Sequence, residues 1–221
     1  MKIMISATKG AGMSLIRGLL TNNVHVDTLY GTCHQSWETP NHESKHTVWS
    51  SHDHGANFEG DIVPDITVGI WINSKNLIQI CQRLVIVDFQ YAQDATWQAK
   101  QWAWHKGKHD QLAGPDWPPY STDITKYPEW CRNEMCQVAY NRSKYWTHSD
   151  LPYDYIIDSD ELFGDSNPVT LQKLFNAVDM PLDLDTIRLW KNKNNQINWE
   201  CSHLFTWQPG WKLPDNWNPN Q

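Results

Sequence analysis

Short apolar runs alternate with polar stretches that carry glycine or proline, and this alternation divides the chain into elements. The first run, Lys2-Ile3-Met4-Ile5-Ser6-Ala7, predicts a β-strand. Thr8-Lys9-Gly10-Ala11-Gly12-Met13-Ser14 follows as a turn, and Leu15-Ile16-Arg17-Gly18-Leu19-Leu20 predicts a helix that stops at Thr21-Asn22-Asn23. Val24-His25-Val26 reads as a short strand and residues 27–46 as an irregular polar segment. His46 to His52 reads as a strand ending in a histidine, residues 55–64 as a loop closed by Pro64, and Ile66 to Ile72 as the next strand. From Trp71 to Lys106 there is neither glycine nor proline, which favours helix. Leu77, Ile80, Cys81, Leu84 and Val85 fall on one helical stripe there. Leu84-Val85-Ile86-Val87 also fits a buried strand, and the helical register is preferred. Ala95 to His105 continues as helix and Gly114 to Pro119 is a loop. Ile124 to Tyr145 predicts a helix with Pro128 in its first turn, and Pro152 to Asp158 a strand. Asn167-Pro168-Val169 opens a helix to about Val178, and Leu184 to Asn194 predicts the last one. The tail from Pro209 to Gln221 is rich in proline, asparagine and tryptophan and is expected to be irregular.

Strands alternating with helices imply an α/β fold: a three-layer arrangement with a mostly parallel central sheet covered by helices on both faces. The 221 residues fit one domain over 1–221, with an irregular tail from about 209 and no internal repeat. In such a fold the ligand sits beyond the carboxyl ends of the strands. If the first strand and the Thr47–Ser51 strand are parallel neighbours, Lys9 and His52 face one crevice.

The formal charge of −7 and the lack of any basic run argue against a nucleic-acid partner. An acidic chain that binds an anion must gather its few cations locally, which draws attention to Lys9. The five cysteines form no CxxC pair, and neither a signal peptide nor an 18-residue apolar run is present. A reduced, cytoplasmic chain with no membrane segment is therefore expected. The fourteen tryptophans are expected mainly in the core, with a few lining a pocket.

A strand, a glycine turn holding a lysine and a hydroxyl, and then a helix is an arrangement suited to cradling phosphate. Glycines admit the anion to the backbone, N–H groups point inward, and the helix N-terminus adds positive potential. A Walker A loop, GxxxxGK[ST], would put its first glycine at Ala7 and its lysine at Met13. Gly12 and Ser14 fit that pattern, but the charge sits at Lys9, which disfavours ordinary ATP or GTP hydrolysis. A nucleoside or nucleotide kinase on the same scaffold is one alternative, and a catalytically degenerate module that binds or serves structure is another.

Three blocks make the chain resemble the sulfotransferases that use 3′-phosphoadenosine 5′-phosphosulfate (PAPS), with the likeness to diverged short members of viral or marine bacterial type. Thr8-Lys9-Gly10-Ala11-Gly12-Met13-Ser14-Leu15 is similar to the family's 5′-phosphosulfate loop, about one residue off its usual spacing. Trp49-Ser50-Ser51-His52 is similar to the strand end that bears the catalytic base. Tyr155-Ile156-Ile157-Asp158-Ser159-Asp160-Glu161-Leu162, followed by Leu171 to Met180, is similar to the late strand, acidic pair and helix. Together the blocks span about half the chain.

The resemblance implies a P-loop-type fold and PAPS as donor. Lys9, Gly10, Ala11, Gly12, Met13 and Ser14 would bind the cofactor, Lys9 would also stabilise the leaving phosphate, and no metal is expected. His52 would be the base, with His54 as its rival; the His52/His54 pair matches no zinc spacing. The family's strand-end arginine for the 3′-phosphate is replaced by Ile72 or Asp88, depending on register, and Lys191 or Lys193 are candidates to supply the charge. Asp158, Asp160 and Glu161 are expected to be structural. The acceptor, a hydroxyl or amine, is not encoded in any pattern, nor is the oligomeric state.

Overall fold

The structure, a computed structural model, describes residues 1–8, 10–21, 46–51, 63–89 and 123–212. Its centre is a four-stranded sheet, β1 (Lys2–Ser6), β2 (Thr47–Ser51), β3 (Ile66–Trp71) and β4 (Tyr155–Asp158), in the order β2-β1-β3-β4. Every pairing is parallel. Six α-helices accompany it among the described residues: α1 (Met13–Thr21), α2 (Ser74–Phe89), α3 (Glu129–Ser143), α4 (Ser159–Phe163), α5 (Val169–Ala177) and α6 (Leu184–Cys201). The protein is thus α/β, with an all-parallel sheet of the three-layer kind.

Ile3, Ile5, Val68 and Ile70 are fully buried, and so are Ser6 and Gly69 on the alternate positions. Burial of both parities is what a parallel sheet covered on two faces demands, and it explains the near-continuous apolar runs. The chain steps from β1 to β2 on one side, then to β3 on the other. The strand order therefore switches between β1 and β3.

Helix α1 buries Met13, Leu15, Ile16, Leu19 and Leu20 and packs on β1 and β2. Helix α2 buries the expected stripe of Leu77, Ile80, Cys81, Leu84 and Val85 and packs against α3 and α6. The four apolar residues from Leu84 are helical, so the helical register holds. Sixteen residues without a breaker, started by Asn73 Oδ1 accepting from Lys75 N (3.0 Å) and Asn76 N (3.2 Å), outweigh the local β preference of Val85 to Val87. Cys81, Cys131 and Cys136 are free thiols in this core. Burial pushes Cys81 up to about 12 and the other two upward as well, so all three are inert thiols at neutral pH.

Other expectations are corrected. The helix expected over 124–145 is a 3-10 turn (Ile124–Lys126), a break at Tyr127, then α3, with Pro128 before the helix and not in its first turn. Tyr127 is extended (ψ 136°), as a residue preceding proline is forced to be. The strand expected from Pro152 begins only at Tyr155. Before it, Asp154 bonds to β3 through its side chain, its carboxylate accepting from Thr67 N (2.8 Å) and Thr67 Oγ1 (2.7 Å). These bonds, the hydroxyl's first, hold the Asp154 carboxyl below its ordinary value. The last helix runs past Asn194 to Cys201. The tail opens with a turn at Pro209-Gly210, and residues 213–221, like the strand expected at 24–26, the helix at 95–105 and the loop at 114–119, lie outside the described residues.

At Gly69 in β3 the packing leaves no room for a side chain. A Cβ there would stand 2.3 Å from Tyr153 Cδ2, and Tyr153 is itself stacked on the buried Trp146 at 5.8 Å. Gly69→Ala is expected to destabilise the fold by about 1–3 kcal/mol through overpacking. Urea unfolding of Gly69→Ala, Tyr153→Ala and the double variant checks this, and the two substitutions should be strongly non-additive.

Candidate anion site at the carboxyl end of the sheet

Strand β1 ends at Ser6, which pairs with Ser51 of β2 and Gly69 of β3. Ala7 and Thr8 leave it buried, and the chain turns through Gly10 (φ +84°) and Gly12 (φ +95°) into α1. The Gly12 carbonyl accepts from Leu15 N (3.1 Å) and Ile16 N (3.3 Å), so Gly12 occupies the N-cap of α1. Glycine brings no side chain to the cap. Among the described residues, no acceptor meets the N–H groups of Gly10, Gly12 or Met13. Four other helices are closed by side chains, α2 by Asn73, α4 by Asp158, α5 by Glu161 of α4 and α6 by Asp183, while α3 opens at Pro128 with no side-chain cap. The start of α1 keeps open donors and the positive end of a helix dipole at the topological switch point, which is the physical description of an anion site.

The side chains of Ala11 and Met13 are buried, at 0% and 2% exposure, so these residues offer a ligand only their backbone. Ser14 is half-buried at the second position of α1. The loop is held from several directions. Leu84 Cδ1 lies 3.3 Å from where a Gly10 Cβ would be, and Leu162 Cδ1 3.0 Å from that of Gly12. Thr8 Oγ1 meets Ser143 Oγ at 3.2 Å, and Ser143 Oγ donates to the Ala139 carbonyl at 2.7 Å. Arg83 Nη1 donates to the Gly10 carbonyl at 2.6 Å. Ser6 Oγ, at the root of the loop, is buried and meets no hydrogen-bond partner among the described residues.

The ends of β3 and β4 are the opposite case, because their polar groups satisfy one another. Asn73 N donates to Ser159 Oγ (3.1 Å) and Asn73 Nδ2 to Asp158 Oδ1 (2.6 Å). Asp160 accepts from Asn76 Nδ2 at 3.2 Å and from both the amide and the hydroxyl of Ser166. Glu161 accepts from the first amides of α5, Thr170 N (2.9 Å) and Leu171 N (3.1 Å). The acidic triplet is structural, as expected from the sequence. The Ser166 hydroxyl holds the Asp160 carboxyl below its usual range. Lys191 Nζ donates to the Ser166 carbonyl (2.9 Å); burial draws its pKa down, while Asp160, Asp165 and Glu161 oppose that shift. Its charge therefore answers this acidic cluster. No group of three potential metal ligands occurs among the described residues, and no described helix is long and apolar enough to cross a membrane.

Of the residues singled out in the sequence, Gly10, Ala11, Gly12, Met13 and Ser14 are together in one turn. Lys9, His52 and His54 lie outside the described residues. The strand geometry on which the pairing of Lys9 with His52 depends is present: β1 and β2 are parallel neighbours and end in register at Ser6 and Ser51. The strand-end position of β3 is Ile72, 1% exposed and part of the core, which decides the register left open between Ile72 and Asp88. Arg83 was missed in the sequence. Its one signal is a spacing of seven from Asn76, which puts two polar residues on one face of a helix whose buried positions are otherwise apolar except for Gln82. Comparisons with protein families, curated proteins and solved structures return no match.

Two outcomes follow from this geometry. Gly12→Ala combines a positive φ with a close approach to Leu162, and is expected to cost about 1–2 kcal/mol in denaturant unfolding. For Asp160, a folded pKa below the unfolded value of about 3.9 means stability that is present above that pH and is lost as pH falls through the lower folded value. Asp160→Asn should therefore narrow its stability deficit against the parent protein as unfolding is followed from about pH 6 down to about pH 2.

Proposed function

We propose that the turn from Thr8 to Ser14 binds the phosphosulfate end of PAPS, and that the protein transfers a sulfuryl group to a hydroxyl or amine acceptor. The observation that carries this reading is the glycine N-cap of α1, whose backbone donors are open at the switch point of a parallel sheet. An acidic chain offers an anion few other places of positive potential. In the reaction the acceptor oxygen or nitrogen attacks sulfur and the bond from sulfur to the 5′-phosphate oxygen breaks. The acceptor proton passes to a base, and adenosine 3′,5′-bisphosphate leaves. The loop amides and Lys9 would stabilise the charge that collects on the departing phosphate. His52, the residue after the end of β2, would take the proton, a role suited to a side chain that titrates near neutrality.

Against the kinase alternative, Met13 stands where a phosphate-binding lysine would be, and its side chain is buried. The reading that no chemistry occurs predicts that neither nucleotide binds.

Titration calorimetry with adenosine 3′,5′-bisphosphate, compared with ATP plus Mg²⁺, separates the three. The expected result is a dissociation constant on the order of 1 μM for the bisphosphate, lost in Lys9→Ala. Tight ATP binding in its place would favour a kinase, and absence of binding by both would leave a binding or structural module.

A further inference from the structure

We propose that Arg83 is the positioning residue of the anion loop: it fixes the direction of the loop's N–H groups by holding the Gly10 carbonyl against α2. That the loop's ligand is a phosphate or sulfate ester rests on the function proposed above; the clamp itself does not.

A guanidinium is costly to take out of water and is found buried where its donors are engaged. Arg83 is 4% exposed, in the body of α2, among apolar residues. Its Nη1 makes a short, charge-assisted bond to the Gly10 carbonyl, at 2.6 Å. Its guanidinium carbon lies 4.9 Å from the centre of the Trp190 ring and 5.5 Å from that of Phe163. Those rings belong to α6 and α4 and touch each other at 5.9 Å. Three helices thus fix one cation, and the cation fixes one carbonyl.

The consequence lies in the peptide unit joining Gly10 and Ala11. It is planar and trans, so its C=O and N–H point in opposite directions. The carbonyl is bound by Arg83, and the Ala11 N–H donates to the Thr8 carbonyl at 3.2 Å. Held at both ends, the unit cannot rotate without losing two bonds. Rotation about Gly10 ψ and Ala11 φ is otherwise open on the Gly10 side, where glycine is permissive. Once released, the unit would no longer restrain the two peptides that flank it, which carry the N–H groups of Gly10 and Gly12, the donors an anion would use. Arg83 therefore acts on the ligand through the backbone, without touching it.

The test compares Arg83→Met, which keeps the stem and removes the donors, with Arg83→Lys, which keeps a donor and the charge. Adenosine 3′,5′-bisphosphate affinity is measured by calorimetry, and the Ala11 amide by ¹⁵N-resolved NMR of the full chain. Arg83→Met is expected to bind about tenfold more weakly with a displaced Ala11 resonance, and Arg83→Lys to recover part of both. Wild-type affinity or an unmoved Ala11 resonance in Arg83→Met overturns the assignment. If Arg83→Met does not fold, the through-bond coupling between Arg83 Nη1 and the Gly10 carbonyl carbon decides it in the wild-type protein, and absence of that coupling overturns the clamp. If the wild-type protein binds no bisphosphate, the proposed ligand fails, while the Ala11 resonance and the coupling still report on the clamp.

Discussion

A strand hydrogen-bonded along both edges has no lateral freedom, and β1 is such a strand. Ile3, Met4, Ile5 and Ser6 each face a partner on β2 and another on β3. Burial of Ile3 and Ile5 on one face and of Ser6 on the other removes the remaining freedom. Whatever leaves the carboxyl end of β1 therefore starts from a fixed point. Because the chain goes to β2 on one side and to β3 on the other, that end is also the topological switch point of the sheet, the place where parallel sheets receive ligands. The turn into α1 inherits both properties from the sheet.

The chemistry of the edge follows from how its polar groups are shared out. At β3 and β4, side chains close the helices that follow: Asn73 at α2, Asp158 at α4, Glu161 at α5. Asp158, Asp160 and Glu161 are all engaged by protein donors, and Lys191 adds a donor on the same cluster, through the Ser166 carbonyl. At β1 the cap position holds a glycine, and no side chain closes the helix from there. Carboxylates beside the start of α1 would repel an anion, and the described ones along this edge, Asp158, Asp160 and Glu161, are tied up in bonds to amides and hydroxyls. The two halves of one edge thus have opposite character: one internally neutralised, the other open to negative charge.

Much of this was legible in the sequence, because local pattern and tertiary need agree there. The run from Lys2 to Ala7, the glycines at 10 and 12 and the stripe in α1 each specify their own conformation. The stripe in α2 did the same once the absence of glycine and proline was weighed against the β-branched residues at 85–87. What was not legible depended on partners distant in the chain. The five-residue helix α4 has no periodicity to read, and it exists because Asp158 caps it and its side chains are buried. The late start of β4 is set by Thr67, 87 residues earlier, which engages Asp154 through its side chain. The break at Tyr127 was available from Pro128, and the helical composition on either side obscured it. Arg83 has a meaning only once Gly10, 73 residues away, is beside it.

That last contact bears on how an anion site is built from so small a turn. Two glycines at positive φ give a loop that, by itself, has many conformations and would lose entropy on closing around a ligand. Here the ordering is done by folding. Leu84 packs at Gly10, Leu162 and Phe163 at Gly12, Thr8 is bonded to Ser143, and the peptide between Gly10 and Ala11 is bonded at both ends. None of these contacts uses the N–H groups of Gly10, Gly12 or Met13. The side chains that fix the loop are therefore distinct from the backbone donors that would serve a ligand, so its donors are held in place before any ligand arrives.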